Sequence, residues 1–352
     1  MKLVHVVGAR PNFPKLAPVH RAAAQAGVEQ SVIHTGQHYD DALSAAFFRD
    51  LGMRAPEINL GVGSGTHASQ TAHIMERIES HLSTLVPDWV VVYGDVNSTV
   101  AAALVASKLG IRIAHVEAGL RSYDRAMPEE INRIVTDRLA DLLLTPSRDA
   151  DETLRGEGEP DEEICFVGNV MVDSLLYSLP AARATRFGEG FAAGKGTVVV
   201  TLHRPSNVDD PQRLRDIVWA LRQIATGFAV VFPAHPRARQ RISEGGLDLG
   251  NIKLLPPIGY LEMLSLVEGA YAVITDSGGL QEETTSLGVP CLTLRQNTER
   301  PITISEGTNR LVPEPRDLLA RFEDTVRLAS GRQPEGWDGH AGERIISALE
   351  SR

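Results

Sequence analysis

The chain has 352 residues, 43% hydrophobic and 23% charged, a globular composition that excludes disorder over its whole length. At about 100–200 residues per domain, that length predicts two domains. Lys and Arg total 35 against 45 for Asp and Glu, a net charge of −10. This balance argues against a general nucleic-acid binder, yet leaves room for an anionic small molecule held by a local basic cleft or by helix N-termini. Two cysteines, Cys165 and Cys291, are too few for a metal cluster and suit a reducing, cytoplasmic setting. Residues 1–8 read as a strand rather than a signal peptide, and no apolar run is long enough to span a membrane.

In chain order, residues 2–7, 30–34, 89–93, 112–116 and 142–145 are strand-like, and helices suit 13–26, 67–85, 97–109 and 128–140. Several of the strands are nearly continuous in Val and Ile, the pattern of parallel strands buried on both faces. The acidic segment 148–163 reads as a solvated helix end and loop, and 181–196, rich in Gly, Ala and Arg, as an interdomain linker. A second alternation follows, with strands at 197–201, 229–232, 252–255, 272–275 and 291–294 and helices at 210–225, 259–269 and 279–287. The expected architecture is α/β, two Rossmann-like doubly wound domains facing a cleft. The first covers 1–168 and the second 169–337, with a last helix in 338–352 packing back on the first.

Ligands of such sheets bind beyond the carboxyl ends of the strands. Polar residues collect there. Gly8-Ala9-Arg10-Pro11-Asn12 follows the first strand, and Lys15 stands one turn into the next helix, so Arg10 and Lys15 suit an anion. Asp95 follows the strand 89–93, either as a ligand-facing acid or as a helix cap. Glu117 follows 112–116 directly, behind His115. Pro128-Glu129-Glu130 is normal helix-start chemistry, and Glu129 and Arg133, four apart, share a face and can pair. His203 and His235 stand at strand ends of the second alternation, one followed by Arg204, and point to anion binding.

In Thr275-Asp276-Ser277-Gly278-Gly279-Leu280-Gln281-Glu282-Glu283 a strand ends, small residues follow and a helix begins. Free N–H groups at that helix start form an anion site, and glycines allow a phosphate to approach closely. Glu283 is within reach of ribose hydroxyls, and Arg300 adds a further cation. Gly190-Phe191-Ala192-Ala193-Gly194-Lys195-Gly196 is one residue short of a Walker A loop and precedes a strand instead of following one. No Cys/His set has zinc spacing and no G-x-S-x-G elbow occurs. The chemistry reads as acid/base work beside a phosphate-bearing ligand.

These blocks together resemble the non-hydrolysing UDP-N-acetylglucosamine 2-epimerase family. The resemblance rests on Gly8-Ala9-Arg10-Pro11 with Lys15, Thr35-Gly36-Gln37-His38, Gly94-Asp95, His115-Val116-Glu117-Ala118-Gly119-Leu120-Arg121 and Pro128-Glu129-Glu130-Ile131-Asn132-Arg133. It continues through Gly168-Asn169 with Asp173, His203-Arg204, Asp276 to Glu283, and Thr298-Glu299-Arg300-Pro301, in family order from residue 8 to about 310. It implies two domains of the GT-B type, a UDP-sugar substrate, a homodimer, and no metal or other cofactor. The implied reaction inverts C2 of UDP-N-acetylglucosamine by eliminating UDP to 2-acetamidoglucal and adding it back. Asp95, Glu117, Glu129 and His203 match the family's catalytic positions. Arg10, Lys15, Arg133, His235, Ser277, Gly278, Gly279, Glu283 and Arg300 would bind substrate.

The chain departs from many bacterial members at Pro205-Ser206-Asn207 and at Pro236-Arg237. Tyr39-Asp40 and Ser122-Tyr123-Asp124-Arg125 look like relatives acting on diacetamido-uronic sugars. A UDP-2,3-diacetamido-2,3-dideoxy-glucuronate 2-epimerase is therefore an alternative, as are a hydrolysing 2-epimerase and a GT-B glycosyltransferase.

Overall fold

Runs of Val and Ile without polar alternation must be covered on both faces, and this composition produces two parallel sheets flanked by helices. A computed structural model describes residues 1–36, 48, 51–53, 55–191, 194–324 and 333–352. Gln37, His38, Tyr39, Asp40 and Asp41 lie outside the described residues. The chain divides into one unit of Met1–Tyr177 with Glu335–Arg352, and a second of Ser178–Pro334.

The first unit holds strands β1 (Lys2–Val7), β2 (Glu29–His34), β3 (Ile58–Asn59), β4 (Trp89–Tyr93), β5 (Arg112–Val116), β6 (Leu142–Thr145) and β7 (Ile164–Phe166). They lie in the order β3-β2-β1-β4-β5-β6-β7, with every pairing parallel. Its helices are α1 (Phe13–Gln25), α2 (His67–Leu85), α3 (Asn97–Leu109), α4 (Pro128–Leu139) and α5 (Arg148–Glu157), with α6 (Val170–Thr185) leading out. Residues 148–157, expected as a helix end and loop, form a full helix. Its Ala150 and Leu154 are buried together with Asp151, which accepts from the Thr145 hydroxyl, while Glu152 and Glu157 face outward.

The second unit repeats the plan with β8 (Thr197–Thr201), β9 (Ala229–Pro233), β10 (Lys253–Leu255), β11 (Ala272–Thr275), β12 (Cys291–Thr293) and β13 (Asn309–Leu311), in the parallel order β10-β9-β8-β11-β12-β13. Its helices are α7 (Pro205–Val208), α8 (Pro211–Ile224), α9 (Pro236–Glu244), α10 (Tyr260–Glu268), α11 (Gly278–Leu287), α12 (Ile302–Ser305) and α13 (Leu318–Glu323). Within 181–196, the end of α6 and a 3-10 turn at Phe187–Phe191 occupy much of the expected linker.

The last helix, α14 (Ala341–Glu350), lies on α1 closely enough that a Cβ on Gly342 would sit 2.7 Å from the Pro18 carbonyl oxygen. Asp173 accepts from the Gly342 N–H at 2.8 Å, and the Trp337 indole donates to the Pro146 carbonyl at 3.1 Å. These bonds tie residues 335–352 to the first unit.

In both sheets the strand order reverses once, between β1 and β4 and between β8 and β11. Loops leave such a reversal in opposite directions, so the carboxyl ends there are open to a ligand. Gly8 sits at the first of these points. A Cβ there would overlap Ser98 Oγ and lie 2.6 Å from Thr35 Oγ1 and 2.7 Å from Ser98 Cβ. Thr35 and Ser98 hydroxyls already bond one another at 2.7 Å, so the turn has no room to give. Gly8→Ala therefore destabilises the protein by about 1–3 kcal/mol in chemical denaturation, and Ser98→Ala in the same chain restores part of the loss.

Candidate active site

In the first unit, the ends of β4 and β5 and the starts of α1 and α4 bring acids and cations together. Lys15, on the first turn of α1, is buried and forms an ion pair with buried Glu117. Gly94 lies against both: a Cβ there would be 2.6 Å from Lys15 Nζ and 3.1 Å from Glu117 Oε2. Gly94 has φ +62° and Glu117 φ +74°. A non-glycine residue in that region stores about 1–3 kcal/mol of strain, a cost found most often where a side chain must be aimed.

Arg133, on α4, donates to Asp95 Oδ2 at 2.6 Å and to Glu130 Oε2 at 2.7 Å. The residue four before it on that face, Glu129, is half-buried and forms no ion pair among the described residues. The expected Glu129–Arg133 pairing is thus replaced by Asp95 and Glu130, which surround a buried guanidinium. Glu130 also accepts from the Ser122 N–H and hydroxyl and the Tyr123 N–H, at 2.8–2.9 Å. Burial drives its carboxyl up, but these hydrogen bonds and the Arg133 charge outweigh it and hold the pKa below the usual range. Asn132 donates to the Asp95 carbonyl at 2.8 Å, pinning the turn after β4. Asn12 clamps the turn after β1, accepting from the Gly8 and Ala9 N–H groups and donating to the Tyr93 carbonyl. The side chain of Arg10 lies outside the described residues.

In the second unit the centre is Asp276, which is wholly buried at the end of β11. It accepts from the N–H groups of His203 and Arg204, from Asn207 Nδ2 at 3.0 Å and from His203 Nδ1 at 2.8 Å. Burial alone would raise its pKa. The His203 ring, Asn207 and the Arg204 N–H overcome that and keep the carboxylate ionised. His203 is half-exposed, and Nδ1 is the ring nitrogen turned to Asp276. Ser277 is the N-cap of α11 without a side-chain capping bond, so the first N–H groups of that helix are not closed off by it. A Cβ on Gly278 would lie 2.7 Å from Arg300 Nη1, which places that guanidinium beside the helix start. Gly279 follows on the same turn. Arg300 pairs with Glu299 at 2.6 Å and Glu282 at 3.0 Å, and Arg295 pairs with Glu299 at 2.7 Å.

Glu283 is buried on α11 and faces Tyr260 of α10, and burial pushes its carboxyl up to about 7. His235 stands apart, at the end of β9. Its ring accepts from the Arg237 N–H at 3.3 Å and caps α9, and the side chain is exposed. Sequence reasoning placed Asp276 inside a phosphate-binding turn and missed its grip on residues 203–207, which lie far away in the chain. It also left Asp137 out, a residue that contacts His115 and Arg121. No local signal marks either acid.

Two doubly wound units, one ending in matched acids and cations and the other in a helix start beside a His–Asp pair, define an α/β protein of two Rossmann-like units with polar sites at the carboxyl ends of their strands. A family model described as UDP-N-acetylglucosamine 2-epimerase matches residues 20–350. The chain is 41% identical to UDP-N-acetylglucosamine 2-epimerase of Methanocaldococcus jannaschii, over 99% of each chain. It is 42% identical to UDP-2,3-diacetamido-2,3-dideoxy-D-glucuronate 2-epimerase of Pseudomonas aeruginosa, again over 99% of each. A crystal structure of the M. jannaschii enzyme in complex with UDP-GlcNAc and UDP is similar over 100% of both chains, with a TM-score of 0.91 and 41% identity. The chain belongs to the UDP-N-acetylglucosamine 2-epimerase family.

The raised Glu283 carboxyl gives a sign-definite test. Its folded pKa, about 7, exceeds the ordinary 4.5, so the folded state holds the proton more tightly. Stability tied to this group is full below about pH 4.5 and is lost as pH rises through 7, by on the order of 3 kcal/mol. Glu283→Gln, which cannot ionise, should raise the melting temperature above wild type at pH 8, and the gap should close near pH 5.

Proposed function

We propose that the protein inverts C2 of UDP-N-acetylglucosamine, giving UDP-N-acetylmannosamine, through elimination and re-addition of UDP. The single observation that carries this reading is the acid–cation set of Lys15, Glu117, Asp95 and Arg133 at the carboxyl ends of β4 and β5. An unassisted C2–H bond is a poor acid. When the C1–O bond breaks toward UDP, C1 turns cationic and the C2 proton becomes labile. A carboxylate takes that proton, the C2–H electrons form the C1=C2 double bond, and UDP departs with the C1–O pair. Re-addition delivers a proton to the opposite face of C2 as UDP returns to C1. Atoms and electrons balance without an oxidant.

Asp95, Glu117 and Glu129 handle the protons and order the sugar. Lys15 and Arg133 keep their acids oriented between turnovers. On the second unit, Ser277, Gly278, Gly279 and Arg300 hold the diphosphate, and His203, backed by Asp276, stabilises the leaving UDP. Glu283 takes the ribose hydroxyls. Arg10 and His235 complete the anion contacts. Water must be excluded while the glycal is present, or the sugar is released by hydrolysis. The reading includes a cytoplasmic homodimer serving surface polysaccharide synthesis. The free thiols Cys165 and Cys291 support a reducing compartment.

A second substrate, the diacetamido-uronate, is favoured by the 42% identity to the P. aeruginosa enzyme. Proton NMR in heavy water separates the two. Deuterium at C2 with a UDP-N-acetylmannosamine signal supports the first reading. Free N-acetylmannosamine with UDP replaces it by hydrolysis. No exchange by folded protein overturns it for this sugar, and the same assay with the diacetamido-uronate then decides the second. Asp95→Asn and Glu117→Gln should each lower turnover by about 10²-fold or more while UDP still binds. Unchanged turnover would remove both role assignments.

A further inference from the structure

His115 and Asp137 have no role in the chemistry above, yet they are among the most buried charged-type groups of the first unit. We propose that they form the positioning element of the acid set: a His115 ring carrying both protons grips the Gly94 carbonyl, and Asp137 holds that ring and the loop beyond Glu117. The activity it serves rests on the epimerase reading. The protonation of the ring rests on geometry alone.

His115 Nδ1 lies 2.6 Å from Asp137 Oδ1, and Nε2 lies 2.8 Å from the Gly94 carbonyl oxygen. A carbonyl accepts and cannot donate, and an ionised carboxylate is likewise acceptor-only. Two acceptors on two ring nitrogens require two ring protons, the imidazolium form. Burial works against an ionised Asp137, but the His115 and Arg121 charges and their hydrogen bonds outweigh it and hold its pKa below the usual range. Every packed element contributes to the balance. Asp137 comes from α4 and Arg121 from the loop after β5. Glu157, at the end of α5, accepts from Arg121 at 2.7 and 2.9 Å. The Lys15–Glu117 pair flanks Gly94. Two cations, His115 and Arg121, face buried Asp137 and the solvent-reaching Glu157, so the charges of the set balance.

The set has a mechanical consequence. The Gly94 carbonyl is held by His115, and its N–H donates to the Val116 carbonyl at 3.0 Å. The turn that carries Asp95 is thus fixed from β5 at both of its polar groups. The second oxygen of Asp137 accepts from the Gly119 N–H at 3.2 Å and pairs with Arg121 at 2.7 Å. That anchors the chain just past Glu117, whose φ is +74°. One carboxylate thereby steadies the backbone beside both acids. Neither His115 nor Asp137 needs to touch substrate.

The test is ¹⁵N NMR of the histidine-labelled full chain at neutral pH, with the His115 signals assigned by their loss in His115→Gln. Both ring nitrogens of wild type should show protonated shifts. An unprotonated ring nitrogen on His115 overturns the proposal, and where His115→Gln does not fold, triple-resonance assignment of the wild-type chain identifies the His115 ring signals instead. In Asp137→Asn, one ring nitrogen should lose its proton. In the same variant kcat for C2 exchange should fall by about 10- to 100-fold while KM and UDP affinity stay near wild type. A variant with weakened UDP binding, a lower melting temperature and unchanged kcat would make the pair structural only and overturn the positioning role. Wild type that exchanges neither UDP-sugar would defeat the epimerase reading, and the ring spectrum would still stand on its own.

Discussion

Charge matching at the carboxyl edge of a parallel sheet is the constraint on which the first unit depends. Lys15 pairs with Glu117, and Arg133 with Asp95 and Glu130, and most of these residues are buried. An unpaired ion removed from water costs several kcal/mol, so each acid there stands against a cation. The elements that deliver those partners are fixed as a consequence. The first turn of α1 must reach over β4, and α4 must start where Arg133 can span Asp95 and Glu130. Gly94 must lack a side chain, because Lys15 and Glu117 occupy the space a Cβ would need.

The second unit solves a related problem with dipoles. Its sheet ends in an N–H-rich turn, and the charge there is drawn inward by Asp276. The repeated topology explains why both sites fall at the same place in their sheets. In each, the strand order reverses beside the first strand, and the loops on either side part there. The strand run of Val and Ile makes the sheet, and the break in that run makes the site.

Much of this was legible in the sequence. Continuous apolar runs located the five principal strands of each unit to within a residue or two, because burial on both faces leaves no other composition. Short edge strands such as β3, β7 and β13 escaped notice, since two or three residues carry no period. Polar residues at strand ends marked Lys15, Asp95, Glu117 and Arg133, and the structure gathers them. The pairing itself was not legible. Glu129 and Glu130 stand side by side in the sequence, and only the start angle of α4 decides that Glu130 turns to Arg133 and to the Ser122 and Tyr123 N–H groups. His115 and Asp137 meet across β5 and α4, and Asp276 meets His203 across two strands. Such contacts depend on register, which local sequence does not display.

Asp276 bears on a difficulty in the proposed chemistry. A carboxylate at the mouth of a diphosphate site would repel the ligand, and its presence beside Ser277 and Gly278 looks contradictory. Its oxygens, however, are directed to the N–H groups of His203 and Arg204, the Asn207 amide and the His203 ring. An acid saturated in this way presents little negative potential outward. Glu283, seven residues further along the same segment, takes the opposite course. With burial dominant and the Glu282 carboxylate beside it, its carboxyl is driven toward the neutral form. One segment therefore carries two acids with opposed electrostatics. In the proposed reading the ionised one stays turned inward, bound by residues 203–207, and the nearly neutral one lets a hydroxyl-bearing ligand approach without adding a second negative charge to the site.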